Sequence, residues 1–390
     1  MDPVFIILGL VGSVFLIGEL FNNNDDDATP REPDTQEPVV QFGTAEDDTV
    51  QLGDGADFYN GLLGNDSING GGGFDSISGG GGDDIIEGEA GFDSLFGGAG
   101  ADSIDGGLGK DFIRGGNGTD ILNGGGWDDE IYGDDGFDDL FGGSGNDSLY
   151  GGEGKDLLVG GTGNDILEGG GWNDGLFGGG GDDQLDGGSS NDLLVGGAGN
   201  DVGMGGSGND DVYGGSGSDT VMGGDGNDVV VGSSLFSRDL SEADYQSVRA
   251  DTVTRDDDGN IIFAGYGLSG ADADASTDTL FGGDGDDLLL IGQNDIATGG
   301  DGADDFIIGD WITGPDAAAE ITDFDSGEDV IVVFLKSDNA DANITVRGDA
   351  ENSDVREILI DGRVIATVRG SFDPVDGLDA DVLTSIYTPV

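Results

Sequence analysis

The chain has 390 residues, 82 of them acidic and 12 basic, for a net charge of −70. Glycine supplies 83 residues, and there is no cysteine or histidine. These counts exclude disulfides, thiolate or imidazole metal sites, cysteine nucleophiles and histidine-based acid–base catalysis. They also set the surface against nucleic acid and anionic lipid. The expected partners are cations, and carboxylate oxygens without nitrogen or sulfur ligands favour hard ions such as calcium or magnesium. Composition alone reads as disorder; the order of the residues does not.

Residues 1–21 form a hydrophobic segment in which Val4–Leu20 is apolar apart from Glu19 near its end. As a short helix, Val4–Leu20 spans ~26 Å, just short of the ~30 Å hydrocarbon core of a bilayer. No positive stretch precedes it, and no alanine occurs before Ala28, so it fits a cleaved signal peptide poorly. Three readings stay open: an uncleaved membrane anchor, an atypical signal peptide, or a helix packed elsewhere. Residues 22–42 follow as an acidic, proline-containing linker.

From Gly43 to Val231 the chain runs in an unbroken frame of nine, giving 21 nonapeptides. Typical units are GGSGNDSLY (Gly142–Tyr150) and GGTGNDILE (Gly160–Glu168). Position six is Asp in all 21 units, and position one is Gly in 20, Leu52 being the exception. Position eight is apolar in 20, with Gly203 the exception. A low-complexity linker has no such register. One large apolar side chain per unit supplies a narrow core that only a stack of units can bury. Stacking also aligns the aspartates in rows. Two like charges ~5 Å apart cost ~0.8 kcal/mol even at the dielectric of water. Down both rows this reaches the ~5–15 kcal/mol by which a whole domain is stable. The stack therefore calls for a cation between its carboxylates.

The pattern resembles the RTX, or hemolysin-type, calcium-binding repeat GGxGxDxUx, where U is a large apolar residue. The resemblance covers about half the chain. It implies an all-β fold, a right-handed parallel β-roll in which two nonapeptides make one coil. In each unit six residues form a metal-binding turn and three form a strand. The calcium ligands it implies are Asp57, Asp66, Asp75, Asp84, Asp93, Asp102, Asp111, Asp120, Asp138, Asp147, Asp156 and Asp165. They continue through Asp183, Asp192, Asp201, Asp210, Asp219 and Asp228, and through Asp278, Asp287 and Asp304 of a second array. Multiple Ca2+ ions are expected. Position four is Glu46, Trp127, Trp172 or Ser190 in four units, and position two is Thr44, Leu62, Glu89 or Asp134 in four. Trp127 and Trp172 are expected to distort their turns and weaken the sites of Asp129 and Asp174, unless each simply points to solvent.

Residues 232–276 interrupt the frame. Ser241 and Asp244 read as a capping box before a short helix, and Asp258–Gly259 as a turn before Ile261–Phe263. This insertion is either a plain excursion from the roll or a recognition loop. The second array, residues 277–308, contains GGDGDDLLL and GGDGADDFI around a unit one residue short, with Asp295 a less certain position six. Residues 309–390 carry strand patterns at Ile321–Phe324, Val330–Leu335, Ile344–Arg347 and Ile358–Val368, with a hairpin signal at Asp361–Gly362. They are expected to form an antiparallel β cap on the solenoid end. By resemblance, the last stretch also holds a type I secretion signal.

The functional expectation is a secreted, extracellular or cell-surface calcium-binding protein with a structural or adhesive role and no catalytic centre. Its partners are calcium, a cell-surface or glycan ligand, and a membrane tether through Val4–Leu20; nucleic acid is excluded. The competing readings are an enzyme with its site in 232–276 or the C-terminal domain, and a cytolysin.

Overall fold

The computed structural model describes residues 38–233, 276–309, 311–312, 317–336, 342–348, 354–372 and 382–387, with two short strands at 254–255 and 261–262. No helix occurs among the described residues. The expected helices in Val4–Leu20 and after Ser241 lie outside them.

The chain is an all-β parallel solenoid of about 12 turns. Strands pair with the strand 18 residues on, always in parallel: Ser94 with Phe112, Phe112 with Glu130, Leu157 with Gly175. Successive nonapeptides alternate between two sheets. The first sheet contains Ser94–Ala99, Ser148–Gly154 and Thr220–Asp225; the second contains Ser103–Leu108, Leu157–Thr162 and Val229–Ser233. At the normal ~4.8 Å between strands, the stack is ~60 Å long.

Position eight points between the sheets. Ile77, Leu95, Leu140, Leu158 and Leu176 are fully buried there. These strands are longer than the three residues expected. Leu157–Thr162 runs through positions seven, eight, nine, one, two and three, and Gly161 still pairs with Gly179. The first half of each turn keeps the same register, so the ladder continues into it. The first rungs, such as Val40–Phe42 and Thr49–Gln51, and the late rung Leu288–Leu290 stay at three residues.

The two arrays are one solenoid. Thr220 pairs with Thr279, and Val229 with Leu288, across a sequence gap of 59 residues. Gly232 and Asp278 complete a single turn: a Cβ at Gly232 would lie 2.5 Å from Asp278 Oδ2. The excursion is thus inserted inside one turn, and the rungs on either side stack as if it were absent. Within it, Thr254–Arg255 pairs antiparallel with Ile261–Ile262; the turn at Asp258–Gly259 lies outside the described residues. The short unit gives a 17-residue spacing, Thr279 to Ile296, and Asn294 takes a left-handed φ of 66° there.

The expected cap is only partly antiparallel. Ala319–Asp325 and Val330–Lys336 continue the solenoid in parallel, pairing with Ile296–Asp301 and Asp305–Gly309. Antiparallel pairing is confined to the meander Ile344–Gly348, Val355–Ile360 and Arg363–Ser371. The last of these strands returns to pair in parallel with Ala319–Asp325, and Val382–Tyr387 pairs in parallel with Val330–Lys336. Asp361 and Gly362 both have positive φ, 51° and 84°, as a two-residue hairpin turn requires. Arg369 Nε bonds Glu320 Oε1 at 2.5 Å, joining the meander to the last coils.

Glycine at position four occupies the left-handed region because the rungs are close. A Cβ at Gly163 (φ 130°) would lie 1.5 Å from the carbonyl oxygen of Gly145 one coil earlier. Trp127, Trp172 and Ser190 hold the same region at φ 89°, 82° and 84°, and Leu62, Glu89 and Asp134 do so at position two. Stacking imposes this conformation on residues that resist it, at a cost of ~1–2 kcal/mol each. Both indoles are directed to solvent, 65% and 61% exposed, so little packing offsets that cost. Trp127→Gly and Trp172→Gly should each stabilise the calcium-loaded protein by about 1 kcal/mol in urea unfolding. Buried Trp311 remains as the fluorescent reporter. A loss of stability in both variants would show that contacts of the indoles outweigh the backbone strain.

Candidate metal centre

Every predicted aspartate is buried, at 3% exposure or less. They form two continuous ladders. The backbone N–H of each position-six Asp donates to Oδ1 of the Asp one coil later: Asp66 to Asp84, Asp84 to Asp102 and Asp147 to Asp165, each at 2.8 Å. The backbone carbonyl of the same Asp accepts from position seven of the later coil, as in Ile166 N to Asp147 O at 2.9 Å. One ladder crosses the excursion from Asp228 to Asp287 and on to Asp304; the other crosses from Asp219 to Asp278.

The second carboxylate oxygen behaves differently. In Asp66, Asp84, Asp102, Asp165, Asp228 and Asp304, Oδ2 is buried with no hydrogen-bond partner. It faces the glycine at position one of its own unit. A Cβ at Gly160 would lie 2.4 Å from Asp165 Oδ2 and 2.7 Å from Gly178 O. Glycine is required there for room, since the position has an ordinary φ. An unpartnered buried carboxylate oxygen is costly unless something positive meets it.

Burial therefore pushes these carboxyls up. Asp174 is raised to about 9, and Asp93, Asp129 and Asp192 to about 8. Desolvation is the largest cause; the neighbouring aspartates of the row push the same way, while the N–H bond to Oδ1 pulls down.

At the margins of the rows the second oxygen is satisfied. Asp48 Oδ2 accepts from Thr44 N at 2.6 Å, Asp57 Oδ2 from Gly53 N at 3.1 Å, and Asp295 Oδ2 from Gly292 N at 2.6 Å. Asp329 Oδ2 accepts from Asp325 N at 2.7 Å, while its Oδ1 accepts from Asp304 N. These four close their own turns. Asp57, predicted as a ligand, belongs to this group. Asp329 was missed from the sequence, though the signal is legible: FDSGEDVIV (Phe324–Val332) has glycine at position four, Asp at six and Ile331 at eight.

The expected distortion at the tryptophan units is absent. Asp129 and Asp174 are as buried as the others, and both ladders run through them unbroken: Asp111 N to Asp129 Oδ1 and Asp129 N to Asp147 Oδ1, each at 2.8 Å. Asp156 N reaches Asp174 Oδ1 at 2.8 Å. The reason is that Trp127 and Trp172 take the glycine-like φ and point outward.

A second ladder was also missed. Position five is Asn or Asp in twelve units. Its Oδ1 accepts the position-five N–H of the next coil: Asn146 N to Asp128, Asn164 N to Asn146 and Asp182 N to Asn164, at 2.7–2.9 Å. The two side chains lean in opposite directions along the axis. Position five is exposed and Asn suffices there, whereas position six is Asp throughout. Hydrogen bonding alone explains the former but not the latter.

Among the described residues, no three acidic side chains converge on one point. A cation here must take carboxylate oxygens in line and complete its shell from turn carbonyls. Those carbonyls are at hand, since the position-four oxygens point at the next coil. An all-oxygen set of this kind suits calcium, which accepts six to eight oxygens in flexible geometry. The model of the RTX calcium-binding nonapeptide repeat matches in successive blocks from residue 42 to residue 234. Residues 42–234 belong to the RTX repeat family. No curated protein matches the chain. The RTX repeats of this protein thus form a calcium-binding β-roll whose aspartates stand in two stacked rows.

Two outcomes follow from this arrangement. Asp165→Asn and Asp129→Asn should both raise the calcium concentration needed for folding, because each alters an oxygen that no backbone group satisfies. Asp57→Asn should change it little. Calcium titrations followed by circular dichroism check this, and equal effects at all three positions would contradict the distinction. The second concerns pH. A carboxyl raised in the folded state destabilises that state once ionised. The penalty is absent below the ordinary carboxylate range near 4 and complete above about 9. Metal-free protein should therefore gain β-structure as pH falls from 8 toward 4, while calcium binding weakens over the same range. A metal-free roll most stable at pH 8 would refute the assignment of buried, uncompensated carboxylates.

Proposed function

We propose that this protein is an extracellular or cell-surface calcium-binding protein whose roll serves a structural, adhesive role without catalysis. The observation that carries this reading is the double row of buried carboxylates with one oxygen of each reserved. Such a roll is poorly stable without a divalent cation, and calcium that binds only the folded form stabilises it by mass action. The affinities of extracellular calcium modules, ~10⁻⁴–10⁻³ M, match calcium outside cells and lie far above cytosolic levels. The chain then stays unfolded until export and folds outside, consistent with a type I route and a signal in the C-terminal stretch. The absence of cysteine fits, because no oxidation step is needed. The length and regularity of the roll suit a spacer that presents a cell-surface or glycan-binding region. Val4–Leu20 would tether it to the membrane; that segment lies outside the described residues.

Circular dichroism in chelator should show a largely unfolded chain at neutral pH, and millimolar calcium should bring up the β-signal. A fully folded roll in chelator at low ionic strength would remove the basis of the proposal. For location, deletion of Met1–Phe21 should release folded protein into the medium. Retention of the truncated protein inside the cell would overturn the tether and the type I route together.

A further inference from the structure

Basic residues are rare in the roll. Among the 21 nonapeptides the only cations are Lys110, Arg114 and Lys155. Arg114 is taken up by Asp134, while neither lysine has an ion-pair partner among the described residues. Both lysines belong to a pattern that occurs twice. Phe92, Lys110 and Trp127 recur as Phe137, Lys155 and Trp172, each 45 residues later. The interval is five nonapeptides, an odd number, so the second set stands on the opposite edge of the roll. Phe92, Lys110 and Trp127 precede Ser94–Ala99, Phe112–Gly118 and Glu130–Gly136, three successive rungs of the first sheet. Phe137, Lys155 and Trp172 precede Asp139–Ser144, Leu157–Thr162 and Gly175–Gly180, three successive rungs of the second. On each edge a lysine thus stands between a phenylalanine one coil before it and an indole one coil after it. The two rings are two strand spacings, ~10 Å, apart. Phe92 and Phe137 are exposed, as are both indoles.

We propose that these two edges are twin binding sites for a neutral glycan, so that one roll holds two glycan chains. The proposal rests on the adhesive reading above and gives that reading a surface and a ligand. The recurrence of a costly feature carries it. Each indole holds a left-handed backbone with little packing in return, and both copies of the pattern keep it. A pyranose ring has a face of C–H bonds and a rim of hydroxyls. An open indole face receives the first, and the lysine ammonium donates to the second. Asp128 and Asn173, beside the indoles, each use one side-chain oxygen in the position-five ladder. The other oxygen of Asp128 and the amide N–H of Asn173 remain for hydroxyls. Each lysine leans toward its tryptophan end, since Lys155 offsets part of the rise at Asp174 and Lys110 part of that at Asp147. Other occupants fit less well. Backbone N–H groups of the edges are spent in the ladders, as in Trp127 N to Ser144 O at 2.6 Å and Asp174 N to Asp192 Oδ1 at 2.7 Å, so an added peptide strand finds no free ladder. Each row is one side chain wide, far short of the ~800 Å² per partner of a stable protein interface. The net charge of −70 repels uronate and sulfate chains.

The test uses the calcium-loaded full chain and an array of neutral gluco-, manno- and galacto-oligosaccharides, with heparin as the anionic comparison. The wild-type chain should bind at least one neutral series at two sites per chain in calorimetric titration, and should agglutinate beads coated with that series. Trp127→Gly and Trp172→Gly remove a ring without straining the turn. Each should leave one site and abolish agglutination, and the double variant should bind at least about tenfold more weakly. Lys110→Met and Lys155→Met keep the apolar stem, and each should weaken its own site alone. Leu63→Ser, an exposed apolar residue away from both rows, should change nothing. Undiminished binding by the double tryptophan variant would overturn the assignment of the sites and leave the adhesive reading standing. So would a chain that binds heparin and no neutral glycan, or one that binds no glycan yet adheres to cell surfaces equally with and without both indoles. A chain that binds no glycan and adheres to no cell surface would overturn both together.

Discussion

The structure depends on one hydrogen bond repeated in every coil: the backbone N–H of a position-six aspartate donated to Oδ1 of the aspartate one coil later. This bond sets the stacking register and satisfies a turn N–H that the strands cannot reach. It also forces carboxylates into rows one strand spacing apart. Half of each carboxylate thus holds the fold together, and the other half opposes it. Asparagine could make the first contact, as position five demonstrates, but could not contribute the second, charged oxygen. The uniform choice of Asp at position six is explained only when a cation belongs to the folded state.

The same logic separates interior from margin. Where a row begins, ends or is shortened, as at Asp48, Asp57, Asp295 and Asp329, the second oxygen turns back onto its own turn. No neighbouring coil, or an altered one, is there to share a metal, and an unsatisfied oxygen would have no compensation. In regular coils such as that of Asp165, Oδ2 instead faces the glycine at position one and has no hydrogen-bond partner. The architecture reserves the oxygen where a cation can use it and satisfies it where none can.

A solenoid held by repeated local bonds tolerates insertions that a globular core would not. The 41 extra residues between Asp219 and Asp278 leave the ladder bond at 3.0 Å. Register passes through space from coil to coil, so contiguity of sequence matters little. Tolerance extends to the backbone, where the stack holds two tryptophans in a glycine conformation rather than yielding to them. The cap extends the rule: Ala319–Asp325 and Val330–Lys336 are still rungs, and only the meander departs from parallel pairing.

Much of this was legible in the residues alone. The nine-residue period, the apolar position eight and the invariant Asp determined the stack, its core and its rows of carboxylates, because each follows from a strict repeat that stacks on itself, while the parallel roll was implied by the resemblance to the RTX repeat. The hairpin at Asp361–Gly362 was legible for a local reason, since two positive φ values demand that pair. What tertiary structure decided were matters of neighbourhood. Only stacking shows that Asp287 follows Asp228 and that Gly232 shares a turn with Asp278, because an insertion erases the spacing that sequence counts. Only packing shows that Asp57 satisfies itself while Asp129 does not, since both carry the same motif letter. A repeat specifies how a unit meets its own copy; what meets the rest of the chain is settled in three dimensions.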